Sequence, residues 1–385
     1  MVVDDEPDLE SLIRQRFRKQ IRNGEYEFVF AGNGLTALSA LLEHPDTNVI
    51  LSDINMPEMD GLTLLARLNE LKNPALKTVI VSAYGDMENI RTAMNRGAFD
   101  FVTKPVDFND LETTIRKSIE QSRILLQAQQ DHDRLVSIQR DLNVARDIQL
   151  AILPQAFPAF PNRKEFDLFA SMTAAKEVGG DFYDFFLIDN DRLGVVIGDV
   201  SGKGVPAAIF MAVSRTLMRA TALKGIPPTE CMNYVNHLLC RESLSSMFVT
   251  LFYGILTFST GEMIYSNGGH NPPYLVSSDG TVQPVALTHD MALGLFEDNQ
   301  YQCKTLKMGG GDTLVLYTDG VTEAMNRREE CYSEDRLEEV LIRSASQAPL
   351  DLTRSVLDSV RAFVDGHEAS DDITMLTLQF YGGGK

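Results

Sequence analysis

An α/β fold in two domains joined by one long helix is predicted by three features of the chain. From residue 1 to about 106, short apolar runs alternate with longer segments of helical period. From about 108 to 153 there is neither glycine nor proline. After Pro154 the sequence becomes strand-rich, with fewer and clustered helices. The alternation predicts a doubly wound, five-stranded parallel sheet in a domain over residues 1–120. The uninterrupted stretch predicts a coiled-coil linker helix over 121–153, and 154–385 an α/β sandwich of antiparallel sheets covered by helices.

In the first domain the runs "MVV", "FVFA", "VILS", "TVIVS" and "FVT" are separated by "LESLIRQRFRKQI", "LTALSALLEH", "LTLLARLNEL" and "MENIRTAMNRG". Chemistry in such sheets gathers at the carboxyl ends of the strands. Asp4 and Asp5 follow the first run, Asp53 the third, Ser82 the fourth, and Lys104 with Pro105 the fifth. Carboxylates converging on one edge repel one another until a hard divalent cation such as Mg²⁺ joins them. Lys104 can then pair with the oxygens of a phosphoryl group, and Ser82 can donate a hydrogen bond to it.

Within the long helix, Leu135, Ile138, Leu142, Ala145, Gln149 and Ile152 advance by alternating threes and fours, the rhythm of a coiled-coil seam. Ile115, Ile119, Ser122, Leu126 and Gln129 continue it upstream. The expectation is a homodimer through this seam; the alternative is a solitary helix lying on one domain. Beyond it, strands are expected at 166–172, 192–199, 248–258, 261–267, 273–277, 301–307, 312–318 and 373–380. Helices are expected at 205–223, 229–241, 334–346 and 351–364.

Composition narrows the function classes. With 54 acidic against 35 basic residues the net charge is −19, which argues against nucleic acid and membrane partners and for proteins and metal cations. Cys231, Cys240, Cys303 and Cys331 have no spacing suited to a zinc site or a disulfide framework. No apolar run reaches the roughly 18 residues of a membrane span, and the acidic start at Asp4 to Glu6 does not suit a signal peptide, so a cytoplasmic location is expected.

The motifs "VVDDE", "LSDINMPEMDG", "VSAYGD" and "DFVTKP" make residues 1–120 similar to the receiver domains of two-component response regulators. The resemblance implies that Asp53 accepts phosphate from a cognate histidine kinase. It also implies Mg²⁺ held by Asp5, the backbone of Asn55 and Asp53, with Asp4 beside them, and Phe101 at the aromatic switch position beside Ser82 and Lys104. The first strand begins at Met1, so residues that usually precede it in that family are expected to be missing.

In "VVIGDVSGKGVPAAIFMA", Gly198 and Gly202 enclose three residues and Lys203 is followed by glycine, so this is not a nucleotide phosphate loop. Asp199 instead ends a buried strand, and a buried carboxylate needs a cation. Asp181 in "EVGGDFYDF", Asp319 in "LVLYTDGVTEA" and Asp371 with Asp372 in "ASDDITMLTL" occupy comparable junctions. Together they point to oxygen-ligand coordination of two Mn²⁺ or Mg²⁺ ions and to phosphate ester hydrolysis.

These motifs, with "ARDIQLAILP" and "NGGHNPP", make residues 145–381 resemble the SpoIIE-like branch of the PPM serine/threonine phosphatases, which acts on regulators of sigma factors. By that resemblance Asp199 bridges two metals, Asp181 serves one, and Asp319 and Asp371 serve the other. The Val200 carbonyl completes a shell, and Asp372 is an acceptor behind the ligands. His270 reads either as a general acid or as a turn-fixing residue before Pro272 and Pro273; Lys203 and Lys176 are weaker candidates for binding substrate phosphate. The implied function is a response regulator whose output dephosphorylates a phosphorylated STAS-type anti-sigma-factor antagonist. The rival is a non-catalytic adaptor built on a phosphatase-like domain.

Overall fold

The computed structural model describes residues 1–83, 86–242, 247–367 and 369–382, which leaves Tyr84 and Gly85 of "VSAYGD" outside the described residues. It divides into two compact units, Met1–Ile138 and Gln139–Lys385.

The first unit runs β1 (Val2–Val3), α1 (Pro7–Arg16), α2 (Arg18–Arg22), β2 (Phe30–Ala31), α3 (Gly34–Glu43), β3 (Val49–Asp53), α4 (Gly61–Glu70), β4 (Lys77–Ala83), α5 (Met87–Asn95) and β5 (Asp100–Lys104). The strands form a parallel sheet in the order β2-β1-β3-β4-β5. Every residue of β3 is buried, as a central strand covered on both faces requires. The single helix expected over "LESLIRQRFRKQI" is two helices that break at Phe17, which is fully buried beneath them.

Helix α6 (Phe108–Ile152) is continuous for 45 residues. Of its upstream heptad positions, Ile115, Ile119 and Ser122 are not a free seam, and the expectation is corrected there, whereas Leu126 and Gln129 are exposed. Leu111 and Ile115 lie in the core with Val2, Ile13, Val49 and Val79, Ile119 packs against them, and Ser122 is fully buried. The first turns of the helix must cover the sheet, so their apolar stripe is already occupied. Leu135 and Ile138 are exposed, whereas Gln149 is buried within the second unit.

After α6 come β6 (Phe166–Thr173), β7 (Phe182–Leu187), β8 (Arg192–Val200), α7 (Val205–Ala222), α8 (Pro228–Glu242), β9 (Val249–Thr257) and β10 (Glu262–Gly268). They are followed by β11 (Tyr274–Val276), β12 (Val282–Pro284), β13 (Lys304–Lys307), β14 (Thr313–Tyr317), α9 (Asp319–Thr322), α10 (Ser333–Arg343), α11 (Pro349–Val364) and β15 (Ile373–Phe380). Two antiparallel sheets result, ordered β13-β10-β9-β8-β7 and β12-β11-β14-β15-β6. Strand alternation sorts their side chains. Leu314, Leu316, Leu376 and Leu378 join the core shared with the other sheet, while Val315, Tyr317 and Met375 face Leu337, Val356 and Val360 of α10 and α11. Helices α7 and α8 cover the first sheet through Met211, Met218, Met232 and Val235. No helix among the described residues is long and apolar enough to cross a membrane.

Strand β7 was missed from the sequence because "FYDFFL" carries an acid in an otherwise apolar run. Asp184 is 1% exposed, yet Arg219 Nη1 lies 2.5 Å and Arg215 Nη2 3.0 Å from its carboxylate oxygens. Both arginines stand one turn apart on α7, so this cluster ties the helix to the strand. Asp184→Ala would leave the largely buried Arg215 without its counter-ion and should lower the stability of the second unit by about 3–5 kcal/mol, read as a shift in its urea unfolding transition.

Candidate functional site

At the carboxyl edge of the parallel sheet, Lys104 Nζ lies 2.7 Å from Asp53 Oδ2, 3.1 Å from Asp4 Oδ2 and 3.0 Å from Glu6 Oε1. Oxygens of Asp4, Glu6 and Asp53 all fall within 4.8 Å of one another. Burial works against the Lys104 charge, but hydrogen bonds to Asp53, Glu6 and Asp4 outweigh it and hold its pKa above the ordinary lysine value. Burial raises the Asp4 carboxyl, partly offset by the Glu6 N–H and Lys104. The other oxygen of Asp53 accepts the Ile54 N–H at 2.6 Å and the Asn55 N–H at 3.4 Å.

Glu6 was not anticipated; its N–H donates to Asp4 Oδ1, and that local turn folds the chain back so that its carboxylate reaches Lys104. Asp5 is exposed and is not one of the convergent trio. Asn55 is exposed, Phe101 is 37% exposed, and Ser82 is fully buried with its hydroxyl 3.4 Å from Asp86.

In the second unit the acids cluster at one end of the sandwich. Asp181 immediately precedes β7, Asp199 is the next-to-last residue of β8, Asp319 opens α9 after β14, and Asp371 and Asp372 immediately precede β15. The first two come from one sheet and the others from the facing one. Asp181 is 2% exposed and accepts the Thr318 hydroxyl at 2.7 Å. Its pKa is pushed well above the carboxylate range by burial and then by repulsion from Asp199 and Asp372. Burial, then Asp319, raises Asp199; burial, then Glu323 and Asp371, raises Asp319.

Two acids have resident partners. Asp371 is 2.8 Å from Lys203 Nζ. Asp372 accepts N–H groups of Ala175 at 2.8 Å and Gly180 at 2.6 Å, so it holds backbone rather than facing outward. Close packing here demands glycine: a Cβ on Gly320 would stand 1.9 Å from the Asp372 carbonyl oxygen, and one on Gly179 would stand 2.1 Å from Asp372 Oδ2. The Val200 carbonyl is near the same strip, 2.9 Å from where a Gly180 Cβ would be. Lys176 is exposed. The donors are carboxylates and a carbonyl, with no soft ligand, and the raised carboxyls of Asp181, Asp199 and Asp319 mark a deficit of positive charge; this set fits hard divalent cations. No three of these acids bring oxygens within 4.8 Å of one another among the described residues, so they form a broader site than the first.

His270 is held on every side. Its Nδ1 is 2.9 Å from the Thr250 hydroxyl, its Nε2 is 3.1 Å from the Tyr317 carbonyl, and its N–H donates to Asn267. Since a carbonyl only accepts, Nε2 carries the proton and Nδ1 accepts from Thr250. This favours the turn-fixing reading. Thr318, Glu323 and Gln149 are site neighbours that sequence reasoning missed; only the motif "ARDIQLAILP" hinted at the last.

Burial lowers the His270 pKa from 6.5 to about 4. Between those values the unfolded chain binds the proton and the folded chain does not, so the neutral imidazole's stability is lost as pH falls through that window. Going from pH 7 to pH 5 should cost about 2 kcal/mol through this residue. Urea midpoints of wild type should therefore fall more steeply over that range than those of His270→Asn; equal slopes would contradict the assignment.

Residues 189–381 match the family Stage II sporulation protein E (SpoIIE), and residues 1–116 match the response regulator receiver domain. Protein IcfG of Synechocystis is 31% identical over 265 residues, covering 62% of this chain and 41% of that protein. Phosphoserine phosphatase RsbU of Bacillus subtilis is 27% identical over 257 residues, covering 66% and 75%. The chain thus spans less than half of the first relative and three quarters of the second. The crystal structure of the RsbU and RsbW domains of a Mycobacterium tuberculosis protein aligns with a TM-score of 0.51 and 30% identity over 57% of this chain and 61% of that one. With its parallel receiver sheet and its paired antiparallel sheets, the chain belongs to the SpoIIE family of PPM-type phosphatase domains and carries a receiver domain ahead of that domain.

Proposed function

We propose that this chain is a response regulator whose output is metal-dependent removal of phosphate from phosphoserine or phosphothreonine on a protein. The observation that carries the reading is the gathering of Asp181, Asp199 and Asp319 from the ends of β7, β8 and β14, where burial and mutual repulsion raise all three carboxyls. Asp181, Asp199, Asp319 and Asp371, with the Val200 carbonyl, would hold two Mn²⁺ or Mg²⁺ ions. Such ions supply Lewis acidity toward the phosphoryl group and the attacking water. Thr318 orients Asp181, Asp372 fixes the backbone beside it, and Lys203 stands at the rim with Asp371. Similarity to a phosphoserine phosphatase supports a phosphoprotein substrate, and we assign a STAS-type anti-sigma-factor antagonist.

Control is assigned to phosphorylation of Asp53 by a histidine kinase, with Mg²⁺ held by Asp53, Asp4, Asp5 and the Asn55 carbonyl, and with Ser82, Phe101 and Lys104 responding. Lys104, now 2.7 Å from Asp53, would follow the new phosphoryl oxygens. Homodimerisation is proposed only for the stretch around the exposed Leu135 and Ile138.

Two measurements test this reading. Phosphate release from a phosphoserine STAS protein with Mn²⁺ should fall at least about 100-fold in Asp199→Asn or Asp319→Asn, because a preorganised charge at the reacting centre contributes a few kcal/mol. Near-normal rates in both variants would defeat the metal mechanism, and no phosphate release from the wild type would favour the adaptor. Incubation with acetyl phosphate and Mg²⁺ should add one hydroxylamine-labile phosphoryl group to the wild type and none to Asp53→Ala; labelling of that variant to the same extent would remove Asp53 from the scheme.

A further inference from the structure

The scheme above gives the basic partner of Asp371 no task of its own. Lys203 lies in the loop between β8 and α7, four residues after Asp199. Its ammonium is 2.8 Å from Asp371 Oδ2 and also donates to the Ser370 carbonyl. Asp371 Oδ1 accepts the Asp372 N–H at 2.9 Å, which leaves Oδ2 as the oxygen that meets cations. The charges of Asp372 and Asp319 act on the same ammonium.

Two details make this pair easy to open. The Lys203 and Asp371 side chains are 43% and 32% exposed, so water screens their attraction well below that of a buried pair. The loop also has room around it: Gly202 and Gly204, on either side of Lys203, have φ of 88° and 77°, and a Cβ on either would meet nothing within 4 Å. A divalent ion on Asp371 would compete for the oxygen that Lys203 holds, because two cations on one carboxylate oxygen repel each other. The ammonium would then be free, yet still tethered beside Asp199.

We propose that Lys203 is an exchangeable counter-cation: a metal ion displaces it from Asp371, and the freed ammonium binds the phosphoryl oxygens of the substrate. The inference rests on the metal-dependent reading given above and adds a substrate-binding residue to it. A compact ammonium on a flexible stem suits such an exchange. A guanidinium would hold the Asp371 carboxylate more firmly, through two parallel hydrogen bonds.

The test is Mn²⁺ binding by the full chain, followed by the loss of the free-ion electron paramagnetic resonance signal, for wild type, Lys203→Met, Lys203→Arg, Asp371→Asn and the double variant with Lys203→Met and Asp371→Asn. The receiver edge is the same in all five, so differences between them report the second unit. Lys203→Met should bind Mn²⁺ about 2- to 5-fold more tightly, the factor that an exposed ion pair sets, and Asp371→Asn should bind it more weakly. In the Asp371→Asn background, removing Lys203 should bring no such gain. Binding of inorganic phosphate to the Mn²⁺-loaded protein, read by calorimetry, should fall about 10-fold in Lys203→Met and be retained in Lys203→Arg. A merely structural lysine would not move the two affinities in opposite directions. Unchanged or weaker Mn²⁺ binding by Lys203→Met, with Asp371→Asn weakened, overturns this inference and leaves the metal reading intact. The same gain in the double variant also overturns it, by making the effect one of net charge alone, as does phosphate binding that Lys203→Met leaves unchanged. Mn²⁺ binding that Asp371→Asn leaves unchanged overturns the assignment of Asp371 as a ligand and this inference with it.

Discussion

Crowding carboxylates at one end of a β-sandwich is the constraint around which the second unit is arranged. Asp181, Asp199, Asp319, Asp371 and Asp372 repel one another, and burial removes the water that would screen them. The surroundings answer that cost piece by piece. Asp372 is taken up by backbone N–H groups, Asp371 by Lys203, and one oxygen of Asp181 by Thr318. Glycines at 179 and 320 let the strips of chain approach closely enough for these contacts. Asp199 and Asp319 keep much of the residual repulsion, which a bound cation would relieve.

The receiver edge solves the same problem differently. Asp4, Glu6 and Asp53 are gathered more tightly, and a cation of the protein's own, Lys104, sits among them. There one ammonium reaches three acids, whereas in the second unit Lys203 pairs directly with Asp371 alone. The first arrangement suits a switch, and the second suits a catalyst.

Much of this was legible in the sequence because the signals were periodic. The runs ending in Asp53 and Lys104, and the alternation in "TLVLY" and "ITMLTLQF", fix which residues end strands and therefore which acids share an edge. Other features depended on long-range partners. "FYDFFL" hides a strand because Asp184 breaks the apolar pattern, and its two arginines lie some thirty residues away on α7. The heptad rhythm placed Ile115 and Gln149 in one seam. Helical spacing defines a face, but not what covers it; the core of the first unit covers Ile115, and Gly179 takes Gln149. Glu6 was missed because its reach depends on a two-residue turn rather than on any period.

The order of strands in the second sheet has a consequence for how the enzyme site is made. β6, the sheet's earliest strand, pairs with β15 alone, and β15 is also the partner of β14. The strand that bridges them therefore emerges from the ribosome after all the others of its sheet, and it brings Asp371 and Asp372 with it. Until then β6 has no neighbour in its sheet, and the clamp on Gly180 does not exist. Long-range pairing of this kind is slow to form and is acquired late. Before residue 371 a growing chain therefore holds Asp181, Asp199 and Asp319 but neither the strand that joins β6 to β14 nor the clamp on Gly180, so the acid cluster is completed only when the last strand docks.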